Sequence, residues 1–230
     1  LYSLLYLTGY KSISINNIKK FRQLNSICAG HPEYHPKTGI ETTTGPLGQG
    51  LANASGMALA ERMLSERFGS EIVNHYTYVI AGDGCLMEGV SHEAASFAGH
   101  LRLGKLIVLF DNNGISIDGS TQLAVNDNQL MRFEACGWSV SECDGHDPNA
   151  IEQAIKQARE TQNKPSFIAF KTTIGFGSPN KAGTAATHGA PLGEEEITAT
   201  RESLKWPHLP FEIPDKVKSA WIRIGAMHNK

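Results

Sequence analysis

Two apolar runs, each closed by a turn of Gly, Asp and Asn, constrain this chain more than any other feature. Tyr78-Val79-Ile80-Ala81 leads into Gly82-Asp83-Gly84, and Leu106-Ile107-Val108-Leu109-Phe110 leads into Asp111-Asn112-Asn113-Gly114. Short apolar runs bounded by turn residues read as buried strands. Thirty positions separate Asp83 from Asn113, about one strand-helix-strand unit, whose parallel strands end side by side. A carboxylate and an amide oxygen on neighbouring turns suit a hard cation such as Mg²⁺, which keeps positions open for water and phosphate oxygens. Gly82 and Gly84 let backbone approach an anion, and a helix expected to begin near Glu88 would turn its amide end towards it. The expected ligand is a metal-bridged diphosphate. A lone Gly-Asp-Gly is a common turn; the second turn at this distance gives the first its weight.

The rest of the chain extends the same alternation. Thr44-Gly45-Pro46 is expected to open a helix to about Phe68, with Leu51, Ala54, Ala58 and Met63 near helical spacing. A second helix should run from Glu88 to His100, between the two strands. Asp147-Pro148 caps a third, carrying Ile151, Ala154, Ile155 and Ala158, which Lys164-Pro165 should end before the strand Ser166-Phe167-Ile168-Ala169-Phe170. This order predicts an α/β fold, a doubly wound parallel sheet with helices on both faces. From Gly175 to Gly193 the composition predicts a long loop of the kind that forms lids. Residues 1–205 are expected to form one domain, and residues 206–230, with Pro207, Pro210 and Pro214, a linker to a further domain. Leu1 to Leu7 reads as an apolar helical stretch without a cap, so the chain is expected to begin inside an element.

Composition narrows the class. A net charge of −2 over 230 residues is too balanced for a nucleic-acid surface, and 40% hydrophobic residues suffice for one substantial core. Cys28, Cys85, Cys136 and Cys143 lack paired zinc spacing and read as reduced thiols, which predicts a cytoplasmic protein. No apolar stretch approaches the ~20 residues of a membrane span.

Gly82-Asp83-Gly84 followed by Asn112-Asn113 resembles the thiamine diphosphate signature, in which the Asp, the second Asn and a carbonyl two residues on hold Mg²⁺. Here the carbonyl would be that of Ile115. The surrounding motifs narrow the family: Gly30-His31-Pro32-Glu33, Thr43-Thr44-Gly45-Pro46-Leu47-Gly48-Gln49-Gly50, GDGCLMEG from Gly82, DNNGISIDG from Asp111, GFGSPNKAG from Gly175 and HGAPL from His188. In this order they resemble bacterial-type transketolase, from the first residue to roughly residue 215. The resemblance implies thiamine diphosphate and Mg²⁺ as cofactors, with Ca²⁺ or Mn²⁺ able to replace the metal. It implies transfer of a two-carbon ketol unit between sugar phosphates of the pentose phosphate pathway, in a homodimer whose second domain and second subunit complete the site. Neither nucleic acid nor membrane is an expected partner.

The same resemblance assigns roles. Asp83, Asn113 and the Ile115 carbonyl would hold the metal; Gly45 and Gly84 would lie against the cofactor, Gly84 at its diphosphate; Leu47 and Ile117 would pack on it. Glu88 would sit in the subunit interface near the cofactor. His31 matches a residue that hydrogen-bonds the donor's terminal hydroxyl, and His188 one near the diphosphate and that hydroxyl. An imidazole titrating near neutrality suits both tasks. His35, His75, His92, His100, His208 and His228 read as surface or structural residues. His146 reads as part of a capped turn rather than a metal cluster, and Cys85 as a packed small residue. Glu93, like Glu88, could also be a solvated helix carboxylate. Ala185 stands where several transketolases have a further His. A family Gly-His-Gly segment and an earlier active-site His would precede residue 1, and the family's activating glutamate and sugar-phosphate arginines would follow residue 230. Dihydroxyacetone synthase, deoxyxylulose-phosphate synthase and a non-enzymatic cofactor-binding subunit are the alternative readings.

Overall fold

A computed structural model describes residues 1–227. His228 therefore lies outside the described residues. The chain divides into two units, Leu47–Leu204 and, separately, Leu1–Pro46 with the segment from Lys205 onward. In the latter, α1 (Tyr2–Leu7) and α2 (Ile15–Lys19) precede a short turn at Pro36–Thr38. Tyr2, Leu5, Ile13, Cys28 and Ile40 form its buried cluster. Ser14 caps α2 through a reciprocal pair with Asn17.

The unit from Leu47 opens with α3 (Gln49–Phe68), β1 (Thr77–Gly82), α4 (Asp83–Met87), α5 (Gly89–His100) and β2 (Leu106–Asn112). A small hairpin of β3 (Ile115–Ser116) and β4 (Gly119–Ser120) follows, then α6 (Gln129–Ala135), β5 (Ser139–Asp144), α7 (Pro148–Glu160), β6 (Ser166–Lys171) and α8 (Glu194–Ser203). The main sheet has the order β1-β2-β6-β5, and every pairing in it is parallel.

The strand sequences follow from which faces are covered. β2 is apolar throughout because it is central: Leu106, Val108 and Phe110 enter the cluster with α3, α5 and α6, while Ile107 and Leu109 turn to the face carrying α7. Edge strand β1 alternates instead, with Ala81 buried and Ile80 77% exposed. Small residues on α5 let it lie close: a Cβ on Gly99 would come within 1.8 Å of the Cys136 carbonyl oxygen. The Trp138 Nε1–H donates to the Ala95 carbonyl at 2.8 Å, and its ring meets Phe133 edge-on at 5.0 Å.

Several boundaries differ from the sequence expectation. The first long helix starts at Gln49, because Gly48 takes a left-handed φ of 78° that no helix interior allows and leaves Pro46 outside. The helix between β1 and β2 is broken in two, since Glu88 is extended (φ −69°, ψ 140°). α7 is capped by Asp147 as expected but ends at Glu160, four residues before Lys164. β5, α6 and α8 were not anticipated, and neither was α9 (Asp215–Ala226), whose Gly225 would place a Cβ 2.0 Å from the Thr8 carbonyl oxygen. No helix among the described residues is long and apolar enough to cross a membrane.

Candidate metal and cofactor site

Asp83 is the first residue of α4, directly after β1, and Asn113 directly follows β2. The register pairs Gly82 with Asp111, so the two turns lie side by side, as the thirty-residue spacing requires. The Gly114 N–H lies near enough to the Asp83 carboxylate to favour its charged form. Asn113 is held on both ends of its amide: Nδ2 donates to Asp111 Oδ2 at 3.1 Å, and Oδ1 accepts the Ile115 N–H at 2.9 Å. That pairing directs the oxygen away from Asp111 and leaves it one lone pair.

The electrostatics here are unbalanced. Asp83 Oδ2 is buried and makes no hydrogen bond. Burial, and then the negative charge of Asp111, push the Asp83 carboxyl up from its ordinary 3.8 to about 6, against opposing hydrogen bonds from its own backbone N–H and that of Gly114. None of the ion pairs among the described residues involves Asp83 or Asp111. A buried carboxylate oxygen without a partner beside a second carboxylate is the electrostatic complement of a cation. No three His, Cys, Asp or Glu side chains among the described residues cluster as metal ligands; the side-chain oxygens gathered at these turns are carboxylate and amide oxygens, hard in character.

Long-range bonds tie the carboxyl end of β6 to the Asp111 turn, and that of β5 to the segment that follows β6. Thr172, after β6, donates its hydroxyl to Asp111 Oδ1, and its N–H reaches the Asn112 carbonyl at 3.3 Å. His146, after β5, accepts the Thr173 N–H at Nε2 over 2.9 Å, which assigns that nitrogen as the unprotonated one, and its ring stacks on Phe176 at 4.1 Å. The Asp144 carboxylate accepts the His146 N–H at 2.8 Å, the capped turn expected from sequence. Asp111 and Thr172 are the positioning residues that sequence reading missed. Asp111 was visible as the residue two before Asn113 on the same strand face; Thr172, 61 positions from Asp111, gave no local signal.

The remaining expected residues fall as follows. A Cβ on Gly84 would meet only Leu47 Cδ1, at 3.3 Å, so Leu47 and Gly84 are neighbours. Leu47, which lies against Gly84 in space, is 52% exposed, and Ile117, four residues after Asn113, is 73% exposed; both present apolar surface. Glu88 is exposed at the break between α4 and α5, with its Cβ 2.8 Å from where a Gly48 Cβ would be. His188 is exposed at the end of the short helix Ala185–Thr187, and its ring makes no hydrogen bond or ring contact among the described residues. His31 belongs to the other unit, where its ring lies on Gly45: a Cβ there would be 3.2 Å from Nδ1. His92 bonds Arg132. Cys85 is partly buried against the main core.

Glu196 anchors the long loop from Gly175. Glu196, in the first turn of α8, accepts the Ser178 hydroxyl and the Asn180 N–H (2.9 Å) at Oε1, and Asn180 Nδ2 (2.9 Å) at Oε2. Those bonds, led by that of Ser178, pull its carboxyl down to about 2.

With this geometry in place, comparison with known proteins is decisive. Residues 1–230 match the family described as transketolase, thiamine diphosphate binding domain. The chain belongs to that family. It is 60% identical over 225 residues to a transketolase of Buchnera aphidicola from Acyrthosiphon pisum, covering 96% of this chain and 34% of that protein. Against a transketolase of Sinorhizobium medicae the identity is 55% over 226 residues, 98% of this chain and 32% of that protein. The crystal structure of Campylobacter jejuni transketolase superimposes with a TM-score of 0.93 at 43% identity, over 98% of this chain and 36% of that one. This chain thus spans about a third of the length of these transketolases. Thiamine diphosphate is the ligand that defines the family domain.

Proposed function

We propose that this chain is the diphosphate-side portion of a transketolase active site, which moves a two-carbon ketol unit from a ketose phosphate to an aldose phosphate. The observation that carries the reading is the buried, partnerless Asp83 Oδ2 beside Asp111, a site whose charge calls for a divalent cation. Asp83, Asn113 Oδ1 and the Ile115 carbonyl would hold Mg²⁺, with Ca²⁺ or Mn²⁺ as substitutes; Asp111 keeps the Asn113 oxygen turned outward. Gly84, without a side chain, leaves room for a diphosphate, and the exposed Leu47 and Ile117 offer apolar surface to the organic part of thiamine diphosphate. When bound, that cofactor supplies the carbanion-stabilising chemistry. The chain's own part is to bind and orient it, and to offer imidazoles to the sugar: His31 and His188 would each hydrogen-bond a substrate hydroxyl, as the family resemblance implies. A Pichia stipitis transketolase, 44% identical over 98% of this chain, has been crystallised with xylulose 5-phosphate, and a ketose phosphate is the donor proposed here.

Glu88 is proposed to lie in a homodimer interface, and residues 206–230 to lead towards a further domain. Turnover is expected of the complete cytoplasmic protein and not of the 230-residue chain alone, because a half-site cannot exclude water or supply every proton. The test is titration of the complete protein with thiamine diphosphate, with and without Mg²⁺, followed by an assay with xylulose 5-phosphate and ribose 5-phosphate. Metal-dependent binding with ketol transfer is the expected result. Binding without transfer to any aldose phosphate would favour a non-enzymatic cofactor-binding subunit, transfer to formaldehyde a dihydroxyacetone synthase, and condensation of pyruvate with glyceraldehyde 3-phosphate a deoxyxylulose-phosphate synthase. Absence of binding refutes the reading.

A further inference from the structure

α4 is a single helical turn, and it carries Asp83 at its first position. A helix this short has no interior to hold it, and its last carbonyls lack intrahelical partners. The chain cannot supply them by continuing, because Glu88 is extended. Two side chains from elsewhere take the load. Ser91 Oγ donates to the Cys85 carbonyl at 2.5 Å, and Arg132 Nη2 donates to the Leu86 carbonyl at 2.9 Å from 46 positions away.

Arg132 is an unusual choice for this task. Its guanidinium forms no salt bridge among the described residues, and its buried Nε has no partner. The remaining donors are spent on His92 and Gln129, and the guanidinium carbon lies 5.5 Å from the centroid of the fully buried Phe133 ring. A cation held this way is oriented towards one end of one helix, the carbonyl end, where positive charge and N–H donors are both favourable. Three residues back along that turn is the Asp83 carboxylate.

We propose that Arg132 is a positioning residue for the metal site: by gripping the carbonyl end of α4 it sets the direction of the Asp83 carboxylate at the other end. This rests on the Mg²⁺–thiamine diphosphate reading above. Arg132 touches neither metal nor cofactor, so its loss should appear in metal affinity and not in fold. Groups that orient metal ligands from outside typically contribute about 10- to 100-fold in affinity, and an effect relayed through a helical turn belongs near the lower bound.

The experiment uses the complete protein with saturating thiamine diphosphate, and reads the Mg²⁺ dissociation constant by calorimetric titration beside the metal-free melting temperature. Arg132→Met, which keeps the apolar stem and removes the donors, should weaken Mg²⁺ about tenfold. Arg132→Lys, one flexible ammonium that cannot span Leu86, Gln129 and His92 together, should weaken it about threefold. Trp138→Phe loosens the same core by losing the bond to the Ala95 carbonyl and leaves every partner of Arg132 in place; it should lower the melting temperature while leaving Mg²⁺ affinity at the wild-type value. Wild-type Mg²⁺ affinity in Arg132→Met overturns the proposal; should that variant fail to fold, wild-type affinity in Arg132→Lys does so. Equal weakening in Trp138→Phe and Arg132→Met also overturns it, because the effect would then be general loosening. If the wild-type protein itself binds no Mg²⁺ or thiamine diphosphate, the functional reading fails first and takes this proposal with it.

Discussion

In the metal-free protein Asp83 should be a source of instability, and replacing it should stabilise the fold. Its carboxyl is raised from an ordinary 3.8 to about 6, so ionising it costs more in the folded chain than in the unfolded one. At about 1.4 kcal/mol per pKa unit the penalty is about 3 kcal/mol at most. The sign follows from linkage. A carboxyl with a raised folded pKa favours the folded state while it is protonated, below about pH 4, and that advantage is lost as pH rises through 6. Asp83→Asn keeps shape and an acceptor but removes the charge. With chelator present, its urea midpoint at pH 8 should exceed that of wild type, the gain should shrink through pH 6, and it should vanish below pH 4. In the same variant Mg²⁺-dependent binding of thiamine diphosphate should fall severely, since the charged ligand is gone. A variant no more stable than wild type at pH 8, or a gain independent of pH, would refute the electrostatic account of the site. Unchanged metal affinity would refute Asp83 as a ligand.

Gly84→Ala should fold normally, because its Cβ would meet only Leu47 Cδ1 at 3.3 Å, yet it should weaken diphosphate binding at least tenfold by filling the approach, read by titration against thiamine diphosphate. His31→Ala should lower turnover and donor affinity far more than cofactor affinity; wild-type donor kinetics would return His31 to a structural role. Glu196→Ala should speed proteolysis within 175–193 by removing three hydrogen bonds. In the wild-type protein this anchor, with its carboxyl lowered to about 2, should persist at neutral pH and weaken only as pH falls from about 4.5 towards 2. Added Mg²⁺ and thiamine diphosphate should slow the same cleavage, and equal rates would count against a lid. Gly99→Ala should leave little folded protein, since its Cβ would sit 1.8 Å from the Cys136 carbonyl oxygen, as soluble expression would reveal.

What the sequence determined by itself was whatever depends on neighbours along the chain. The continuous apolar run of β2, the Asp147-Pro148 cap of α7 and the spacing of Asp83 and Asn113 each report a local cause, so the parallel sheet and the pair of facing turns could be read before any coordinates. The motifs also fixed the family. Local pattern misled where two signals competed: Pro46 resembled a helix start, but the left-handed Gly48 put the start at Gln49, and an apparently continuous helix after Asp83 broke at Glu88. Tertiary structure alone decided the electrostatics. Asp111 disturbs Asp83 because parallel register sets their strands side by side; Thr172 secures the Asp111 turn, and His146 the backbone at Thr173, because β2, β6 and β5 end at the same side of the sheet. Arg132 on α6 reaches the Leu86 carbonyl of α4 across 46 positions. None of these has a sequence period to betray it, since burial, register and long-range hydrogen bonds are properties of the assembled layers and not of any segment within them.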